Sequence, residues 1–145
     1  CEAASKIIPW LASCCPNLNS LLCFSLTKET ANLLMQMLQN NKAFINKFKH
    51  KLLAITFTQC NLNEEDARSI LFDINPLYLE LGIIDLQNNN IECIETIGAA
   101  AKTLLPTNDS IPSTLRNLFL YGNPFFSNLS SPESSDHTAM ICLLK

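Results

Sequence analysis

The chain has 145 residues, of which 48% are hydrophobic and 16% are charged, and its formal net charge is −3. This length favours one domain with enough apolar side chains for a continuous core. The weakly acidic balance argues against a nucleic-acid-binding domain, and no apolar run reaches the roughly 18 residues that a membrane-spanning helix needs.

Residues 1–20 are predicted to contain a helix that Pro9 interrupts. Two interpretations stay open for this segment. It is either an amino-terminal cap or the end of a preceding structural unit in a longer protein. The apolar side chains of Ile7, Ile8, Trp10 and Leu11 favour the second interpretation, because a cap needs a polar outer face.

An eleven-residue pattern then recurs along the chain. Apolar residues occupy positions one, four, six and eleven, and Asn or Cys occupies position nine. Full copies start at Leu52, Leu81 and Leu115. The period-two alternation at positions four and six predicts a strand with one buried face in each copy.

A weaker copy is predicted to start at Leu21, with Glu29 at position nine. Glu29 does not fit a slot that holds Asn or Cys elsewhere. A competing phase therefore stays open, in which Leu18, Leu21 and Cys23 define the first strand.

Helical patterns separate the strands. Asn63 is predicted to cap a helix, since Glu64, Glu65 and Asp66 follow it and suit the positive end of the helix dipole. The predicted apolar helix faces are Leu33, Leu34, Met37 and Leu38; Ala67, Ile70 and Leu71; and Ile94, Ile97, Ala100, Ala101 and Leu104. Residues 106–112 are predicted to form a surface loop, and residues 126–145 a linker followed by a carboxy-terminal cap.

These features resemble the leucine-rich repeat family, in its longer, ribonuclease-inhibitor-like class. The resemblance implies an α/β solenoid, with parallel strands on a concave face and helices on a convex face. About four repeats would fill residues 21–125, starting near residues 21, 52, 81 and 115. It also implies that Asn89, Asn123 and Cys60 at position nine hydrogen-bond the backbone of neighbouring repeats.

No enzyme chemistry is predicted. The chain has two histidines, and adjacent Ser135, Asp136 and His137 cannot hold the geometry of a catalytic triad. No glycine-rich phosphate loop and no metal-ligand spacing is present in the sequence, so we expect neither a cofactor nor a metal.

The seven cysteines favour buried, reduced thiols and therefore a cytoplasmic, reducing location. Sequons at Asn108 and Asn128 keep an extracellular alternative open. The Asn-rich, Val-free style is similar to that of leucine-rich repeat effectors that intracellular bacterial pathogens deliver into host cells.

The predicted function is binding of a protein partner through the concave face. Positions five and seven of each copy point away from the core in this interpretation. The candidate binding residues at these positions are Ser25, Thr27, Thr56, Thr58, Asp85, Gln87, Phe119 and Tyr121. Arg116, close to Phe119 and Tyr121 in the sequence, is a further candidate.

Phe119 and Tyr121 have the composition of an interface hot spot. The alternative is that the carboxy-terminal tail packs over these two rings. A second functional hypothesis is that the chain is the substrate-recognition domain of a larger enzyme, such as a ubiquitin ligase.

Overall fold

The computed structural model describes residues 7, 10–11, 13–93, 97 and 115–128. Within these ranges four parallel strands form one sheet, and each strand pairs with the next one along the chain. The strands are β1 (Ser20–Phe24), β2 (Ala54–Thr58), β3 (Ile83–Asp85) and β4 (Asn117–Phe119). The chain is an α/β protein with a parallel sheet.

Helices lie between consecutive strands. Helices α1 (Lys28–Asn40) and α2 (Lys42–Phe48) connect β1 to β2. Helix α3 (Glu64–Ser69) continues into a π-helical turn (Ile70–Ile74) and a 3-10 turn (Asn75–Leu77) before β3. Helix α4 (Phe125–Asn128) follows β4.

The three full copies have the predicted strand register. In each copy, positions four and six point towards the helices, where they form one core with the apolar helix faces. These inward side chains are Ile55 and Phe57, Ile84 and Leu86, and Leu118 and Leu120. All of them are buried except Leu118, which is half-buried.

The predicted start of the first copy at Leu21 is wrong. In the parallel register, Leu22 lies opposite Thr56 and Phe24 lies opposite Thr58. Leu21 and Cys23 point into the core, whereas the side chain of Phe24 is 58% exposed. The competing phase is correct, and the first copy starts at Leu18. Burial of Leu21 and Cys23 decides the register, because a shift of one residue would turn both side chains to the solvent.

Side-chain caps define where the helices begin. Thr27 caps α1 by accepting a hydrogen bond from the Thr30 N–H at 3.3 Å. Asn63 caps α3 as predicted, and it forms a capping box with Asp66. The core-facing residues of α1 are Ala31, Leu34, Met35 and Leu38, and those of α3 and the turn that follows it are Ala67, Ile70, Leu71 and Ile74.

An aromatic cluster joins α2 to the segment that enters β3. The rings of Phe44 and Phe48 are fully buried, with centroids 4.5 Å apart. Tyr78 packs edge-on against Phe44 and donates its hydroxyl to the Leu38 carbonyl at 2.8 Å. That hydrogen bond satisfies the polar atom of an otherwise buried side chain.

Asn89 connects the third copy to the second, as the resemblance to the leucine-rich repeat family implies. Its Nδ2 donates to the carbonyls of Phe57 (2.6 Å) and Leu86 (3.0 Å). Its Oδ1 accepts from the N–H groups of Cys60 (2.9 Å) and Leu62 (3.2 Å). One buried side chain therefore satisfies backbone groups of two copies.

Asn123 and Cys60 occupy position nine of their copies and likewise contact the backbone of the preceding copy. Asn123 donates to the Leu86 carbonyl at 2.9 Å and accepts from the Ile91 N–H at 3.1 Å. The Cys60 thiol lies within hydrogen-bond distance of two carbonyls, that of Thr58 at 3.4 Å and that of Cys23 at 3.7 Å. In all three cases the position-nine side chain reaches the position-six carbonyl of the preceding copy.

The chain turns sharply after each strand. Position eight has left-handed backbone in all four copies, at Ser25, Gln59, Asn88 and Gly122, with φ between 52° and 77°. The φ of 77° at Gly122 favours glycine, and a Cβ there would require the Asn88 side chain to move.

Several predicted features lie outside the described residues. Of the predicted helix face from Ile94 to Leu104, the structure describes Ile97, which is helical and buried. The predicted loop at 106–112 and the tail at 129–145 are among the residues that are not described.

We expect the Asn89→Ala substitution to lower the free energy of unfolding by about 3 kcal/mol. The substitution leaves buried N–H and carbonyl groups unpaired, and each such group costs about 1–3 kcal/mol. Urea denaturation followed by circular dichroism measures the change. The exposed neighbour Asn90 is the control, since Asn90→Ala should change stability by less than about 0.5 kcal/mol. Equal effects of the two substitutions would contradict this role of Asn89.

Glu64 joins α3 to the segment that follows β3. Its Oε1 accepts from the N–H groups of Glu92 (2.6 Å) and Cys93 (2.8 Å). Burial acts to raise the pKa of this carboxyl. Hydrogen bonds from the backbone of Glu64, Cys93 and Glu92, together with Lys28, outweigh burial and hold the pKa below its ordinary value of 4.5.

A carboxyl with a lowered pKa stabilises the folded state above its unfolded pKa, and this stabilisation is lost as the pH falls through the folded pKa. We therefore expect Glu64→Gln to destabilise the protein at pH 7 and to have a smaller effect at pH 3. Urea midpoints of both proteins across this range measure the difference. If the urea midpoints of the two proteins change in parallel with pH, the Glu64 charge does not contribute to the stability of the folded state.

Candidate functional site

The exposed side of the sheet, opposite the helices, carries a row at position three, formed by Ser20, Ala54, Ile83 and Asn117, and two further rows at positions five and seven. The position-five row is Leu22, Thr56, Asp85 and Phe119, in the order in which the strands pair. The position-seven row continues past the strand ends as Phe24, Thr58, Gln87 and Tyr121. Here the Gln59 N–H bonds the Gln87 carbonyl and the Asn88 N–H bonds the Tyr121 carbonyl. The eight residues at positions five and seven are the outer sheet face.

The outer sheet face is apolar at both ends. On β1, the side chains of Leu22 and Phe24 are 59% and 58% exposed. At β4, Phe119 is 43% exposed and Tyr121, just past the strand, is 71% exposed. The described parts of the chain leave all four side chains open to solvent, and exposed apolar side chains grouped on one surface mark a candidate interaction site.

The middle of the face is polar and less exposed. Thr56 was expected at the surface, but only 6% of it is accessible, so that expectation is wrong. Its side chain is shorter than those of Leu22 and Asp85, which lie directly beside it in the register. Asp85 and Gln87 are half-buried, and two hydrogen bonds join them.

Ser25 and Thr27 do not belong to the two rows, contrary to the sequence-based alignment. Ser25 is in the turn after β1, where its hydroxyl donates to Gln59 Oε1 at 2.9 Å. Thr27 caps α1. Leu22 and Phe24 take the places that were expected for them. The competing phase of the first copy, defined by Leu18, Leu21 and Cys23, would have placed Leu22 and Phe24 at positions five and seven.

Arg116 lies apart from the rows, just before β4 begins. It lines an open pocket of about 290 Å³ near the starts of the strands. The other lining residues are Leu53, Glu80, Gly82, Ile83 and Asn117. The pocket combines one basic and one acidic side chain with two exposed aliphatic ones, and it adjoins the outer sheet face at Ile83 and Asn117.

The ring of Tyr121 packs against the aromatic residues of α4. Its ring lies 6.0 Å from the ring of Phe126, which in turn stacks at 4.4 Å on the buried Phe125. Phe125 is the apolar residue at position eleven of the fourth copy. The alternative in which the tail covers Phe119 and Tyr121 involves residues that are not described.

The buried thiols are suited to packing and not to nucleophilic chemistry. Burial, together with the neighbouring Cys60, raises the pKa of Cys23 to about 12. Burial also raises the pKa of Cys60. Both side chains therefore stay protonated near pH 7, and a thiol is a much weaker nucleophile than a thiolate.

The described ranges contain no group of three or more His, Cys, Asp or Glu side chains placed to hold a metal ion. None of their helices has both the length and the apolar character needed to cross a bilayer.

Comparison with known proteins gives no assignment. No protein-family model, no curated protein and no solved structure matches this chain. Function is therefore inferred from the residues and contacts of the chain itself.

The contribution of the Thr58 hydroxyl, in the polar middle of the face, to the stability of the protein can be tested. Its Oγ1 is buried and has no hydrogen-bond partner among the described residues. We expect Thr58→Val to keep the stability of the protein or to raise it by up to about 1 kcal/mol, because a buried unpaired hydroxyl is replaced by a methyl group of similar size. Thermal unfolding measures the change. A loss of more than about 1 kcal/mol would show that the hydroxyl has a partner after all.

Proposed function

We propose that the chain is a leucine-rich-repeat-type solenoid that binds a protein partner through its outer sheet face. Three recurring features support the solenoid: two contacts between consecutive copies and one turn conformation within each copy. The position-two N–H donates to the position-two carbonyl of the preceding copy, at Leu53, Gly82 and Arg116. Position eight is left-handed. The position-nine side chain bonds the preceding position-six carbonyl.

The observation that carries the binding proposal is the exposure of four large apolar side chains at the two ends of one face. Leu22 and Phe24 lie at one end, and Phe119 and Tyr121 lie at the other. Neighbouring parallel strands are about 4.8 Å apart, so the two ends are separated by about 14 Å. A folded domain or a peptide can span this distance and contact both ends.

The same arrangement supports binding over catalysis. Exposed aromatic side chains such as Phe24, Phe119 and Tyr121 are enriched among the residues that dominate protein interfaces. Cys14, Cys15, Cys23 and Cys60 are free thiols, which supports the further proposal that the protein works in a reducing compartment, such as the cytosol of a host cell.

The test compares two exposed apolar residues of similar accessibility. Phe119 on the outer sheet face is 43% exposed, and Leu79 outside it is 49% exposed. A partner is first captured from a eukaryotic lysate and identified. Surface plasmon resonance then measures its affinity for the wild-type chain, Phe119→Ala and Leu79→Ala.

We expect Phe119→Ala to weaken binding about 30-fold, as loss of an anchor worth about 2 kcal/mol would do, and Leu79→Ala to leave the affinity unchanged. Both variants should unfold at the wild-type temperature, because neither side chain is buried. A partner whose affinity depends on Leu79 and not on Phe119 would assign binding to another surface.

A further inference from the structure

Asp85 is the one carboxylate on the outer sheet face, and it lies near the middle of that face. In the register its neighbours are Thr56 on β2 and Phe119 on β4. Its side chain is half-buried. A partner that covers the apolar ends of the face would therefore also cover this negative charge.

The described residues leave part of the Asp85 carboxylate without a partner. Oδ1 accepts the Gln87 N–H at 3.0 Å, and Oδ2 accepts Gln87 Nε2 at 3.2 Å. A carboxylate offers about four acceptor positions, so about two stay open. Among the described residues, no lysine or arginine forms an ion pair with Asp85, whereas Asp66 is paired with Lys28 at 3.1 Å.

Burying an uncompensated carboxylate under a partner would be costly unless the partner supplied a positive charge. The adjacent ring of Phe119 strengthens the same preference, because the face of an aromatic ring attracts a cation. Arginine satisfies both groups at once. Its planar guanidinium can donate two hydrogen bonds to a carboxylate and can also stack on a ring.

We propose that the outer sheet face binds a partner segment that places an arginine on Asp85 and Phe119 and an apolar side chain on Leu22 and Phe24. This inference rests on the binding function proposed above and specifies the chemistry of the partner. Leu22 is two strands away from Asp85, so the arginine and the apolar anchor should be about 10 Å apart.

The experiment selects binders from a display library of random twelve-residue peptides on the full chain. We expect the selected peptides to contain an arginine together with at least one large apolar residue. Replacing that arginine by citrulline, its neutral analogue, should weaken binding to the wild-type protein about tenfold or more. This comparison requires no protein variant and is therefore independent of folding.

Protein variants give a second readout. Asp85→Asn removes the charge but keeps an oxygen for the Gln87 N–H, so the turn should be preserved. We expect it to weaken the arginine peptide about tenfold and to remove the difference between arginine and citrulline. The control is Asp73→Asn, an exposed aspartate that bonds Ser69 on the helical side of the chain and should change neither value.

Three outcomes separate the inference from the proposed function. Peptides that need Phe119 but contain no arginine, and that bind Asp85→Asn as well as wild type, would overturn the inference and support the binding face. Peptides that bind equally well to Phe119→Ala and Asp85→Asn would overturn both. A selection that enriches no peptide would also count against both.

Discussion

The side chains at position nine join the copies of the strand to one another. A parallel sheet satisfies backbone groups along its strands, but the chain must turn after each strand, and there its N–H and carbonyl groups lose their partners in the sheet. Asn89 and Asn123 supply the missing donors and acceptors from inside the core. Because these amides are buried, their bonds do not compete with water, and the turns are fixed relative to the core.

The position of the outer sheet face follows from that constraint. Fixed turns keep the strands in register, and the register aligns positions five and seven into two rows across the sheet. Between neighbouring strands the backbone groups beneath those rows pair in the ladder, so the side chains give the face most of its binding chemistry. Leu22 and Phe24 at one end, Asp85 in the middle and Phe119 at the other end give that face its alternation of apolar and acidic character.

The sequence predicted the parts of this arrangement that depend on one residue or its near neighbours. These include the Asn63 cap and the inward residues of the three full copies. The bonds made by Asn89 and Asn123 join distant copies, and the resemblance to the leucine-rich repeat family implied them. The sequence did not determine which residues of the first strand face the core, because its Leu, Cys, Phe and Ser residues allow two phases. The accessibility of Thr56 depends on the length of the side chains on the adjacent strands, which a pattern within one strand does not contain.

Native-state hydrogen exchange at three consecutive amides tests most directly whether Asn89 holds the turn. The N–H groups of Cys60 and Leu62 bond Asn89 Oδ1, whereas Asn61 between them is exposed and its N–H has no partner among the described residues. We expect the Cys60 and Leu62 amides to exchange as slowly as that of the buried Phe57, and the Asn61 amide to exchange much faster. Rapid exchange at all three positions would contradict the account.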